Sequence, residues 1–112
     1  MIGKDLVAAS SRPLILSILE DGENYGYAIL RRVHELSSEQ IEWTEGMLYP
    51  VLHRLEHEGL IRARWARTES GRERKYYRLS RKGQKMLEAE KGQWLAVHNT
   101  LCKLWKLRPT SI

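Results

Sequence analysis

The stretch Ile61-Arg62-Ala63-Arg64-Trp65-Ala66-Arg67-Thr68-Glu69-Ser70-Gly71-Arg72-Glu73-Arg74-Lys75-Tyr76-Tyr77-Arg78-Leu79 decides how the chain is read. Before it, apolar residues recur at helical spacing; within it the period falls to two. Ile61, Ala63 and Trp65 alternate with Arg62, Arg64 and Ala66, the pattern of a half-buried strand. Ser70-Gly71, within Thr68 to Arg72, marks a turn. Lys75 to Leu79 is a second run of β-formers, with Tyr77 and Leu79 on one face and Tyr76 and Arg78 on the other. The spacing predicts a two-stranded hairpin whose tip and one face are arginine and lysine.

Upstream, the pattern predicts three helices. The first begins near Ser11, with Pro13 at its first helical position and Leu14, Ile15, Ile18 and Leu19 on one face, and stops at Asp21-Gly22. Asn24 caps the second, which carries Tyr27, Ala28, Ile29, Leu30 and Val33 and leads into a connection at Ser37-Ser38-Glu39. After a short extended piece, Ile41 to Trp43, Thr44 is the N-cap of the third helix and Gly59 its C′ residue. Leu48, Val51, Leu52 and Leu55 form its apolar stripe; Glu45, Tyr49, His53, Arg54 and His57 form the opposite face. Pro50 removes one hydrogen bond there, leaving either a kinked helix or a separate first turn.

Downstream, Ser80 caps a last helix from Arg81 to Leu107, about 40 Å long. Such a helix overhangs a domain whose radius of gyration is about 13 Å. Leu87, Trp94 and Leu101 form one row of a seven-residue beat; Val97 and Leu104 form another, with Glu90 in the place of a third apolar residue. A seam with no intrachain partner implies a homodimer held by Leu87, Trp94, Val97, Leu101 and Leu104. Trp65 and Trp105 read as packing residues, Trp43 is undecided, and Arg108 to Ile112 reads as a frayed end. Residues 1–80 thus form one unit, and residues 81–112 a dimerisation helix with a short tail.

Charge sharpens the picture. The chain of 112 residues carries a net charge of +5, but residues 1–60 hold −5, residues 61–82 hold +7 and residues 83–112 hold +3. A dense positive block on a hairpin faces a polyanion. Three helices followed by a basic hairpin is the winged helix-turn-helix plan, mainly α with a small β wing. Its third helix enters the major groove of double-stranded DNA while the wing lies on phosphates or the neighbouring minor groove. Arg72, Arg74 and Lys75 then neutralise phosphates, Arg54 pairs with guanine, and Thr44, Tyr49 and His53 offer hydrogen bonds to phosphates or bases. Glu45 favours the helix N-terminus or accepts from cytosine.

Other function classes find less support. There is no glycine-rich phosphate loop and no paired carboxylates beside a base, so an enzyme is not expected. His53 and His57 stand four apart, but in His-Arg-Leu-Glu-His rather than the zinc-protease order. His98 and Cys102 are also four apart, and a dimer with two such pairs is the basis of an alternative, metal-responsive reading. A winged-helix protein-interaction module is a further alternative, disfavoured by the arginine-rich hairpin. No cofactor is expected. The lone Cys102 suits a reducing cytoplasm, Met1 to Ser11 lack the apolar core of a secretory peptide, and no stretch approaches the roughly 20 apolar residues of a membrane span.

The chain resembles the PadR family of bacterial transcriptional regulators, in particular its short subgroup with a single C-terminal helix. The resemblance rests on Tyr25-Gly26-Tyr27-Ala28-Ile29, on Gly46-Met47-Leu48-Tyr49-Pro50-Val51-Leu52-His53-Arg54-Leu55-Glu56, and on Gly71-Arg72-Glu73-Arg74-Lys75-Tyr76-Tyr77-Arg78-Leu79-Ser80 followed by Lys82-Gly83. These organise residues 12–83. Glu73 departs from the small residue or proline expected at the wing tip. The resemblance implies a dimeric repressor on inverted repeats near promoters, often of detoxification or efflux genes. It also implies DNA contacts from Tyr49 and the basic wing, and a third helix that tolerates Pro50. Further, it implies a last helix that pairs with its symmetry mate and with the first helix, and a planar hydrophobic ligand lodged between subunits against Trp94.

Overall fold

The computed structural model describes residues 2–108. Its elements are α1 (Lys4–Glu20), β1 (Asn24–Tyr25), α2 (Gly26–Leu36), α3 (Glu45–His57), β2 (Ile61–Arg67), β3 (Glu73–Leu79) and α4 (Arg81–Leu104). The three strands form an antiparallel sheet in the order β1-β3-β2. Four helices with a small winged sheet agree with the fold class expected from the sequence, with one strand more than the hairpin predicted. That strand is Asn24–Tyr25, of which Asn24 is expected from the sequence as a helix cap; it pairs with Tyr77 and Tyr76 instead, and α2 starts at Gly26 without a side-chain cap.

Two boundaries move for identifiable reasons. α1 starts at Lys4 rather than near Ser11, so Pro13 lies inside the helix instead of at its start. The extra turns are held by burial of Val7 and by Asp5, whose charge suits a helix N-terminus. At the other end, α4 stops at Leu104, not Leu107, and spans about 36 Å. Lys106 adopts the left-handed region (φ 59°), and the Leu107 and Lys106 amides donate to the Cys102 and Lys103 carbonyls at 2.7 and 3.3 Å. This closes α4 with the paired hydrogen bonds of a Schellman ending, made by a lysine where glycine is usual. Of the tail expected to fray, residues beyond Arg108 lie outside the described residues.

The third helix forms as its sequence predicts. Thr44 Oγ1 accepts from the Met47 amide at 3.2 Å, and Leu48, Leu52 and Leu55 are buried. Pro50 sits within a continuous helix. Past Gly59 the Leu60 amide donates to the Leu55 carbonyl at 2.9 Å, sealing the helix end under two buried leucines. Ile41 and Trp43 are buried in the irregular link from α2, so Trp43 belongs to the core with Ile15, Leu16, Ile29 and Leu52.

The wing and α4 meet that core at one tight joint. The Ser80 amide donates to the Leu60 carbonyl at 3.0 Å, and the Ser80 hydroxyl donates to the Gly59 carbonyl at 2.6 Å and accepts from the Gly83 amide at 3.0 Å. A Cβ on Gly83 would collide with the Leu60 carbonyl oxygen, so glycine is what lets α4 seat there. One turn on, Leu87 is fully buried. It therefore belongs to the intrachain core, not to an exposed seam, correcting its assignment to dimerisation. Glu90, expected as a gap in the apolar row, is buried in contact with Arg12 of α1.

Candidate nucleic-acid interface

The register of β2 against β3 sorts the wing residues by face. Ile61, Ala63, Trp65 and Arg67 pair with Leu79, Tyr77, Lys75 and Glu73 on the face toward α3, and Arg62, Arg64 and Ala66 pair with Arg78, Tyr76 and Arg74 on the outer face. Between α3 and the wing lies a cleft of about 550 Å³. Tyr49 and His53, one helical turn apart, line its α3 side, and Arg72 and Lys75 line its wing side, joined by Arg74, which reaches the cleft from the outer face over the Tyr25 ring. Five of the seven residues assigned to DNA from the sequence thus line one space.

The other two do not. Thr44 is exposed, but its hydroxyl is engaged in capping α3. Arg54 lies on the opposite flank of α3, at an apolar groove of about 260 Å³ against α1, with Val7, Ser11, Trp43, Met47 and Val51. Glu45 joins the cleft, so the acidic residue near the helix start faces the same space as the wing cations.

Local chemistry fixes most of these side chains. A Cβ on Gly26 would stand 2.7 Å from Tyr49 Oη, so the absence of a side chain there allows the Tyr49 ring to rest against the start of α2. Arg74 stacks 4.0 Å from the centroid of the Tyr25 ring, both residues being half-buried, an arrangement worth about 0.5–2 kcal/mol. Lys75 Nζ meets Glu56 Oε1 of α3 at 3.2 Å and lies 5.4 Å from the centre of the Tyr77 ring, bracing the wing against the helix. Burial raises the Tyr77 phenol above its ordinary value, against the lowering pull of Lys75. On the outer face, Arg64 donates to both oxygens of Glu23 at 2.7 and 2.5 Å and lies over Tyr76, and this pairing holds the Glu23 carboxyl below the usual range. Arg72 is exposed and makes no ion pair with any described residue. It is the freest cation of the cleft.

Sequence reasoning missed Tyr25, which comes to the cleft through β1, and Trp65, assigned to packing but 65% exposed on the cleft wall. A glycine between two tyrosines, Tyr25-Gly26-Tyr27, is the one local sign of the first. Trp105, also assigned to packing, is exposed on the single chain.

The second half of α4 is a separate feature. Trp94, Val97 and Leu104 are exposed and Leu101 is half-buried. A largely apolar groove of about 400 Å³ runs between α1 and α4, lined by Ser10, Pro13, Leu14, Ser17, Leu87, Lys91, Trp94 and Leu95. His98 Nε2 lies 3.6 Å from the buried Cys102 Sγ, and no group of three or more His, Cys, Asp or Glu with metal-site geometry occurs among the described residues. Among these residues no helix is long and apolar enough to cross a membrane.

Comparison with known proteins places the arrangement. The chain is similar to a transcriptional regulator from Clostridium thermocellum, at 28% identity and a TM-score of 0.82, covering 92% of this chain and 97% of the other. A PadR-like transcriptional regulator from Bacillus cereus is 28% identical with a TM-score of 0.82, over 94% of this chain and all of that one. A PadR family transcription regulator from Clostridium difficile is 32% identical with a TM-score of 0.74, over 86% of this chain and 97% of that chain. The sequence pattern of the transcriptional regulator PadR-like family matches residues 15–89, which include α2, α3, the cleft and the whole wing. The chain therefore belongs to the PadR-like family of transcriptional regulators.

Proposed function

We propose that the protein is a cytoplasmic, homodimeric repressor that binds an inverted-repeat operator, one α3 and one wing to each half-site. The observation that carries this reading is the cleft in which Tyr49, His53, Arg72, Arg74 and Lys75 converge. The α3 side offers groups that hydrogen-bond to base edges or phosphates, and the wing side offers cations whose contacts release counterions. Thr44 contributes by setting the start of α3, and Arg54 reaches DNA only from the far flank of the helix. Dimerisation falls to residues 81–112 and specifically to Trp94, Val97, Leu101 and Leu104. Paired α4 helices would present the two reading helices to successive major grooves, about 34–36 Å apart. A small planar hydrophobic effector in the α1–α4 groove beside Trp94 would alter the angle between subunits. It would weaken DNA binding by its preference for the unbound geometry.

Fluorescence anisotropy on the DNA immediately upstream of the gene, beside scrambled DNA and across a salt series, tests the reading. Preferential, salt-sensitive binding at two chains per duplex is expected. Arg72→Ala should weaken binding to both DNAs and reduce the salt slope by about one. Absence of binding to either duplex at low salt would overturn the proposal.

A further inference from the structure

Trp65 occupies an unusual position for the residue with the largest apolar side chain. It keeps the alternation of β2, on the same face as buried Ile61 and half-buried Ala63, yet it stands beyond the edge of the core and is 65% exposed. Its cross-strand neighbour Lys75 does not cover it, because the ammonium group is drawn to Glu56 and lies over Tyr77. In the same sheet Tyr25, Tyr76 and Tyr77 each carry a cation within 4.0 to 5.4 Å of the ring centre. Among the described residues none lies over Trp65 in this way, although indole is the best π-face for a cation. The fold thus leaves one flat aromatic surface uncovered, on the wall of a cleft whose other members include Arg72 and Arg74.

We infer that Trp65 packs against deoxyribose and base edges in the minor groove next to the site read by α3. This rests on the DNA-binding reading above and adds a residue and a kind of contact to it. A sugar–phosphate backbone alternates anionic and weakly polar surfaces. Guanidinium groups flanking an indole match that alternation, cations to phosphates and ring to sugar. A wing beside a helix seated in the major groove reaches the adjacent minor groove, where apolar side chains contact sugars or wedge against base steps. The Trp65 contribution is apolar, so it is independent of salt, unlike that of Arg72.

The test uses the full chain and a duplex selected from random sequence by its affinity for that chain. Trp65→Ala should raise Kd about tenfold at every salt concentration with an unchanged slope of log K against log salt. Trp65→Phe should restore most of the affinity. In hydroxyl-radical footprinting, Trp65→Ala should lose protection of the deoxyriboses at one edge of each half-site and keep the rest. Exposure of the side chain predicts that these variants fold; should Trp65→Ala fail to fold, Trp65→Gln carries the same comparison. Wild-type affinity with an intact footprint would overturn the inference. So would a slope that falls together with affinity, since Trp65 would then act only by holding the wing cations. A wild-type chain that selects no duplex would overturn the DNA-binding reading itself, and this inference with it.

Discussion

The two halves of α4 face opposite situations. In the first, Gly83 is pressed on the Leu60 carbonyl, Leu87 is sealed from solvent, Glu90 meets Arg12, and Lys91 bonds to Glu20 at 2.9 Å. In the second, Val97 and Leu104 stand in solvent, and so does Trp105 at the helix end. One continuous helix therefore changes midway along its length from a core element into one whose apolar face the described residues leave largely exposed. The difference teaches that a heptad pattern identifies which residues share a face but not who covers that face.

The contrast is most sharply broken at Gly83. Replacement by alanine ordinarily stabilises a helix interior by about 0.5–1 kcal/mol. Here the new Cβ meets a backbone carbonyl that is itself hydrogen-bonded to Ser80. Gly83→Ala should instead destabilise by about 3 kcal/mol or more, read from urea denaturation. At the other end, Leu104→Asp should change the stability of the single chain by no more than about 0.5 kcal/mol, because Leu104 is 70% exposed. It should nonetheless abolish association in light scattering; a variant that stays dimeric would place the subunit contact elsewhere.

The smallest expected effect is at the Glu20 carboxyl, which ties the end of α1 to the first half of α4. The Gln84 amide, donating at 2.7 Å, and the Lys91 ammonium hold it below the ordinary carboxylate range. A lowered folded-state value means that its contribution is complete above that range and disappears as pH falls through the lowered value. Glu20→Gln should therefore destabilise mildly at about pH 7 and not at all in strong acid, as thermal melts across pH would report.

Legibility followed the range of the interactions concerned. The N-cap at Thr44, the stripe of Leu48, Leu52 and Leu55, and the turn at Gly71 rest on neighbours in sequence, and each was readable. β1 was not, because two residues become a strand only by pairing with Tyr76 and Tyr77, far along the chain. Leu87 was placed in the right row and given the wrong partner, since nothing local reveals how far α1 runs beside α4. Trp65 was assigned to the correct face and still misjudged: alternation fixes the direction of a side chain, whereas the edge of the core is a tertiary fact. At the cleft, residue types were legible, but the division of labour was not. Spacing along α3 could not show that Arg54 turns toward α1 while Tyr49 and His53 turn toward the wing.

The contact between Gly26 and the Tyr49 ring has an evolutionary consequence. Any side chain at position 26 would meet the phenol end of the Tyr49 ring and swing it away from the start of α2, moving it within the cleft. Drift at one position is therefore confined by the other. A descendant that enlarges position 26 must re-aim the Tyr49 side chain or trade it for a smaller one, so the first step at either position changes the surroundings of the other. The two positions are therefore coupled in their drift.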